Sequence, residues 1–250
     1  MTTVVTGGTG TLGRHVVERL RGAGEEVRVL SRRSQPYPVD LVKGTGPLDA
    51  ALDGAEVVVH CASGRHGDEL AARRLIEAAR RAGVGHLVYV SIVGVDRVPL
   101  GYYRSKWAVE RMVEASGSGW TILRATQFHD LVRTLLAGLA KPPVLLVPAG
   151  VADQPIAAGE VADRLAELAA GAPAGRVAEL GGPEVRGLDE LAAAYLAASG
   201  RRRPVVAVPL PGKVGRALRA GGHLTPDRAI GRETFEEFLT RAFTPSTAGG

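Results

Sequence analysis

The 250-residue sequence contains a single cysteine, Cys61, so no intramolecular disulfide can form, and a reducing compartment is the expected setting. Aromatic residues make up only 4% of the chain, which leaves few rings on which bases could stack. Lysine is also scarce: Lys43, Lys106, Lys141 and Lys213 stand against 27 arginines. Despite the net charge of +5, the longest basic run is Arg201-Arg202-Arg203, shorter than the blocks that grip nucleic acid, so no nucleic-acid partner is expected. No uncharged apolar run has the length of a membrane span. A strand-like run begins at Thr2, leaving no room for a leader, and the expectation is a soluble, cytoplasmic protein. The six histidines show no His-Glu-x-x-His spacing and no second cysteine joins them, so no metal site is expected. A Gly-x-Ser-x-Gly elbow is absent too, which removes support for a serine hydrolase.

What is present is a chain that is 45% hydrophobic, too apolar to be disordered and long enough for one large domain with a buried core. Its first half alternates two periodicities. Runs of β-branched residues predict strands at Thr2–Thr6, Val27–Leu30, Val57–His60, His86–Ser91 and Trp120–Leu123. Helical patterns lie between them at Leu12–Ala23, Asp68–Ala82 and Tyr102–Ala115. In the second of these Asp68 is read as the N-cap, Arg80 and Arg81 fall in the last turn, and Gly83 follows as the C′ residue. Strands apolar enough to be buried on both faces, alternating with helices, predict a parallel sheet covered on both sides. The rhythm breaks at Lys141-Pro142-Pro143. Beyond it, helices are predicted at Glu160–Ala170, at Leu188–Ser199 and after Thr234, where Thr234-x-x-Glu237 reads as a capping box; a strand is predicted at Pro204–Val208. The tail Thr244–Gly250 is expected to fray.

The first strand runs into Thr6-Gly7-Gly8-Thr9-Gly10-Thr11-Leu12-Gly13. Glycines between a strand and a helix allow a tight turn and let backbone amides approach a pyrophosphate at the positive end of the helix dipole. Gly7, Thr9, Gly10, Thr11 and Leu12 are therefore expected to bind a dinucleotide. The second strand ends in Ser31-Arg32-Arg33, and no Asp or Glu lies between Val27 and Val39. An acidic residue there would bind the ribose 2′-hydroxyl of NAD, whereas Arg32 and Arg33 suit a 2′-phosphate, so NADP(H) is expected over NAD(H).

Tyr102 and Lys106 stand at i and i+4 of a predicted helix and share a face. A neighbouring ammonium is expected to lower the phenol pKa of Tyr102 towards the working range of an acid–base catalyst. Ser91 ends the preceding strand and is expected to polarise a substrate carbonyl. Cys61, in an apolar strand, reads as a small buried hydrophobe rather than a nucleophile.

These segments resemble the atypical short-chain dehydrogenase/reductase superfamily and, more narrowly, its NmrA-like NAD(P)-binding branch. The resemblance covers nearly the whole chain. It rests on the glycine turn, His60-Cys61-Ala62-Ser63, Val90-Ser91-Ile92-Val93-Gly94-Val95-Asp96, Tyr102-Tyr103-Arg104-Ser105-Lys106, Leu123-Arg124-Ala125-Thr126-Gln127-Phe128 and Gly181-Gly182-Pro183-Glu184. It implies a Rossmann-type, doubly wound α/β fold with a sheet of about seven strands. Residues 1–250 would form a single NAD(P)-binding domain, to which roughly residues 150–250 contribute a small, mostly helical substrate lobe. It also implies that Ala62 and Ser63 border the cofactor ribose, that Lys106 holds the nicotinamide ribose, and that Ala125 and Thr126 line the nicotinamide end. Phe128 and His129, which follow, are candidates to face substrate, with a structural role the leading reading for His129. Two departures are visible: Gly44-Thr45 replaces the usual Gly-Asp after the third strand, and Ala125 replaces the usual proline after Arg124.

The sequence thus predicts an NADPH-dependent oxidoreductase acting on a small organic molecule, with Ser91, Tyr102 and Lys106 as its acid–base set, and a monomeric or homodimeric state. Two alternatives remain open. One is an epimerase, dehydratase or cyclase that does not consume its cofactor. The other is a non-catalytic sensor of NADP(H).

Overall fold

The computed structural model describes residues 1–64 and 66–244. In chain order its elements begin with strand β1 (Thr2–Thr6), helix α1 (Gly13–Gly22), β2 (Glu26–Leu30), α2 (Leu48–Leu52), β3 (Val57–His60), α3 (Asp68–Arg81), β4 (His86–Ile92), α4 (Gly101–Glu114) and β5 (Gly119–Ala125). They continue with α5 (His129–Leu139), β6 (Leu145–Pro148), β7 (Ala152–Asp153), α6 (Ala158–Ala170), β8 (Gly175–Arg176), β9 (Arg186–Gly187), α7 (Leu188–Ala198), β10 (Val205–Val208), α8 (Gly212–Arg219) and α9 (Phe235–Phe243). Residues 245–250 of the tail expected to fray lie outside the described residues.

The chain divides into two compact units. The first comprises Met1–Ala125 and Ala158–Glu179; the second comprises Thr126–Ala157 and the described residues from Leu180 onward. The first unit is a six-stranded sheet in the order β2-β1-β3-β4-β5-β8, parallel throughout. Its central strands are valine-rich and buried on both faces, as a parallel sheet between helical layers requires. One face meets α3 and α4 through Leu75, Ala79, Val109 and Val113, which join Val4, Val58, Leu87, Tyr89 and Ile122 in one core. The alanines of α3 let that helix approach closely, and burying a side chain such as Leu75 contributes about 1.5–3 kcal/mol. Helix α6 contacts α1 and also β3, β4 and β5.

The sheet has six strands, not the seven or so that the resemblance implies. The chain before Gly44, where a third strand was expected, forms a turn instead. Its cause is local: one carboxylate oxygen of Asp40 accepts the backbone N–H groups of both Val42 and Lys43 at 3.0 Å, a side-chain bond that competes with strand pairing. The consequence is a simple switch point. From β1 the chain winds outward to β2, then returns past β1 to β3 and winds the other way, so a crevice opens above the carboxyl ends of β1 and β3.

The second unit packs α5, α7 and α9 around Val132, Leu136, Leu145, Leu191, Tyr195, Phe235, Phe238 and Leu239. It carries the parallel pair β10–β6 and the antiparallel pair β7–β9. The expected capping box forms at α9: the Glu237 N–H reaches Thr234 Oγ1 at 3.2 Å, and the Thr234 N–H reaches Glu237 Oε2 at 2.8 Å.

Candidate functional site

The glycine turn is shaped by backbone contacts that leave no space for side chains. Gly7 has φ +66°, and a Cβ there would stand 2.7 Å from the backbone of Ala62. A Cβ on Gly13 would fall 2.2 Å from the Gly7 carbonyl oxygen. The Gly7 N–H donates to the Leu30 carbonyl at 2.8 Å, and the Gly10 N–H donates back to Gly7 at 2.8 Å. Thr9, Gly10 and Thr11 are exposed, while Leu12 is buried. Helix α1 begins with no side-chain cap and no acidic residue in its first turn. Its N-terminal amides and positive dipole end are therefore available to an anion, and the pinched glycines bring backbone, rather than side chains, to the surface of the turn. The residues present fit a dinucleotide pyrophosphate.

The loop after β2 lies beside this turn through the Leu30–Gly7 bond. Two serines clasp it: the Ser31 N–H donates to Ser34 Oγ at 2.8 Å, and the Ser34 N–H donates to Ser31 Oγ at 3.0 Å. Arg32 and Arg33 project from the clasp, both exposed. Among the described residues no ion pair engages either guanidinium.

The turn after β3 is built differently. Thr6 Oγ1 accepts the Ala62 N–H at 3.3 Å and lies 2.7 Å from His60 Nδ1, which joins the ends of β1 and β3. The residue preceding α3 is Gly67, with φ +86°. Asp68, expected as the cap, is instead the first residue of the helix, and its side chain turns back into the loop. Its carboxylate accepts the Ser63 hydroxyl at 2.9 Å and the Gly64 N–H at 2.8 Å, and it stands 3.9 Å from Lys106 Nζ.

Helix α4 supplies the facing groups. It is anchored by Glu110, whose carboxylate takes a bidentate pair from Arg124 at 2.9 and 2.8 Å, while Arg124 also reaches Asp96 at 3.0 Å. This charged knot ties α4 to the end of β5 and to the turn after β4, giving fixed orientation more than net stability. From that anchored helix Tyr102 sends its hydroxyl to within 2.9 Å of Ser63 Oγ. Lys106 is buried, with Nζ 5.2 Å from the centre of the Tyr89 ring and 5.9 Å from that of Tyr102. Ser91 shares a strand face with Tyr89 by the two-residue period; its buried hydroxyl has no hydrogen-bond partner among the described residues.

The electrostatics correct one expectation. Burial raises the Tyr102 phenol above its usual value; a hydrogen bond from Ser63 would oppose this, and the Asp68 charge adds to it. Lys106 does not lower it. Burial pulls the Lys106 ammonium below its usual range, and Asp68 opposes that pull. The lysine expected to tune Tyr102 is therefore matched mainly by Asp68. The Cys61 thiol is pushed by burial up to about 12, so it is a protonated thiol at neutral pH.

The remaining expected residues fall elsewhere. Ala125 closes β5, buried, with its carbonyl accepting the Val93 N–H at 3.0 Å. In the second unit Thr126 is buried and its hydroxyl accepts the Gly182 N–H at 3.2 Å. Phe128 is the residue preceding α5. His129 is 1% exposed, stacks on Phe238 with centroids 5.2 Å apart, and is held by burial at a pKa of about 4. It sits in the aromatic core of its unit, not at a surface. A cavity of about 210 Å³ in the second unit is lined by Val147, Val151, Ala152, Gly187, Asp189 and neighbours, none of them an expected site residue. Among the described residues no cluster of His, Cys, Asp or Glu has the makings of a metal site, and no helix is long and apolar enough to cross a membrane.

The residue that sequence reasoning misplaced is Asp68. Its position at the start of an apolar-periodic run has the form of a cap, and no local signal reveals that Lys106 lies opposite. Glu110 was not singled out at all, because its partner Arg124 lies on another element.

The sequence profile of the NAD(P)H-binding family matches residues 7–170. The chain is 32% identical over 171 residues to a (4-alkanoyl-5-oxo-2,5-dihydrofuran-3-yl)methyl phosphate reductase of Streptomyces griseus, covering 64% of this chain and 59% of that one. It is 34% identical over 166 residues to a ceramide reductase of Caulobacter vibrioides, covering 57% and 52%. The chain thus spans about half the length of the curated relatives it matches. Among solved structures, the NADPH complex of an Escherichia coli NADPH-dependent quinone oxidoreductase superposes with a TM-score of 0.76 at 22% identity, over 96% of this chain and 99% of that one. A Thermus thermophilus UDP-glucose 4-epimerase with NAD gives 0.72 at 23% identity, over 98% and 100%.

Proposed function

Because the chain belongs to the NAD(P)H-binding family, we propose that it is an NADPH-dependent oxidoreductase that reduces a carbonyl or quinone of a small organic substrate. The observation that carries this reading is the placement of Tyr102, Ser63 and Lys106 beside the turn that abuts Gly7. The relatives named as reductases support it, although their named substrates differ too much to choose one.

The glycine turn would hold the pyrophosphate through the amides at the start of α1. Arg32 and Arg33 would take the 2′-phosphate as charge-assisted hydrogen-bond donors. Ala62 and Ser63 would border the cofactor ribose and Lys106 would hold the nicotinamide ribose. The bound cofactor supplies hydride, and the protein's own groups supply the proton. Tyr102, kept protonated at neutral pH by its surroundings, donates to the substrate oxygen. That protonation state favours the reductive direction. Ser91 carries a buried hydroxyl without a partner, a costly state that a substrate oxygen would relieve. Lys106 places a buried positive charge near the site of developing negative charge.

Following NADPH absorbance with a panel of quinones and carbonyl compounds tests the reading. Turnover should depend on Tyr102, with Tyr102→Phe losing about 100-fold or more in kcat. Full turnover by Tyr102→Phe would refute the mechanism, and product formed without net NADPH loss would replace it with a non-redox reaction.

A further inference from the structure

Proton counting in the Tyr102–Ser63–Asp68 chain yields a role for Asp68. A carboxylate only accepts hydrogen bonds, and a serine hydroxyl has one proton. Ser63 lies 2.9 Å from Asp68 Oδ2 and 2.9 Å from the Tyr102 hydroxyl. Once Ser63 donates to Asp68, the contact with Tyr102 has a single solution: Tyr102 donates and Ser63 Oγ accepts. The other oxygen of Asp68 is occupied by the Gly64 N–H at 2.8 Å, which fixes the carboxylate in this orientation. The same carboxylate is the acidic group that faces Lys106, 3.9 Å away with both side chains buried.

We propose that Asp68 is a positioning residue that, through Ser63, orients the Tyr102 hydroxyl and at the same time serves as counter-ion to Lys106. The inference rests on the reading of Tyr102 as the proton donor and extends it. A phenolate at Tyr102 would need the proton that Ser63 gives to Asp68. Asp68 therefore opposes ionisation twice, by holding that proton and by its charge, and keeps Tyr102 a donor. The groups facing this cluster are Ser63 from the loop after β3, Lys106 from α4 and Tyr89 from β4. His60 and Cys61, at the end of β3, feel the Lys106 charge.

The test reads Tyr102 directly, without turnover. Phenolate absorbance is titrated in the wild type and in each variant, with and without Tyr102→Phe, so that the difference isolates Tyr102. Asp68→Asn should move the Tyr102 midpoint down by about one pH unit, and Asp68→Glu should restore most of it. Ser63→Ala, at an exposed position that folding tolerates, is the sharper variant. If Asp68 holds the Ser63 proton, Tyr102 loses an acceptor and its midpoint falls; if Ser63 donates to Tyr102, the midpoint rises and the proposal is overturned. An unchanged midpoint in Asp68→Asn overturns it equally. The outcome is separable from the catalytic reading. Should Tyr102→Phe keep full turnover while the titrations behave as expected, the donor role fails and the orienting role of Asp68 stands.

Discussion

Helices α1 and α3 leave neighbouring parallel strands at the same edge of the sheet, yet their first turns are finished in opposite ways. The start of α1 has glycines, no acidic residue and no side-chain cap. That of α3 carries Asp68 and Glu69 in its first turn, and the Asp68 carboxylate folds back onto Ser63 and Gly64. Both turns present the positive end of a helix dipole, but only the first leaves it open to an external anion. At the second, two carboxylates of the chain itself stand in the first turn, where their charge meets the dipole and repels an external anion. A parallel sheet supplies several such helix starts, and the side chains in each first turn decide which one binds phosphate and which one organises a proton donor.

The strongest way to break the contrast is to fill the open turn. Gly13→Ala would drive a methyl group into the Gly7 carbonyl, 2.2 Å away. It should abolish NADPH-induced thermal stabilisation and cost about 1–3 kcal/mol of stability, read from melting with and without cofactor. Making the first turn resemble the second is gentler. Thr11→Asp, at an exposed position, sets a carboxylate at the start of α1 and should weaken NADPH binding about tenfold by titration while leaving the melting temperature of the free protein nearly unchanged. Replacing Arg32 and Arg33 together by alanine should leave NADH affinity as it is and lower the preference for NADPH about tenfold; an unchanged NADPH/NADH ratio in thermal shift would remove these arginines from the site.

The smallest effect concerns the residue that joins the two turns. His60 touches Thr6 at 2.7 Å and is held by burial at a pKa of about 3. In the unfolded chain it titrates near 6.5. Between those values the unfolded state binds a proton that the folded state refuses, so the stability present above pH 6.5 is lost as pH falls towards 3. The melting temperature should drop by a few degrees from pH 7 to pH 5, and His60→Asn should flatten that slope although it lowers stability at pH 7.

The strands of the first unit were legible because five β-branched runs carry their own signal: Thr2–Thr6 and Val57–His60 form over the residues expected. The end of α3 was legible for a similar reason, since Gly83 takes φ +72° and the Val84 N–H closes onto Ala79 at 3.0 Å. Helix α5 was not singled out, because its apolar residues include Leu131, Leu135 and Leu139 on the exposed side, which blurs the periodicity. The two-residue strands β7, β8 and β9 have no local signal, since only a partner brought by the rest of the fold defines them.

By itself the sequence determined the alternation of strand and helix, the glycine turn and the pairing of Tyr102 with Lys106 on one face, because each depends on residues within a few positions of one another. Tertiary structure alone decided that residues 158–179 return to the first unit. It also decided that Asp68, rather than Tyr102, is the close partner of Lys106. Those outcomes depend on groups 38 or more residues apart in the chain, brought together in a dry interior where a charge must find its opposite.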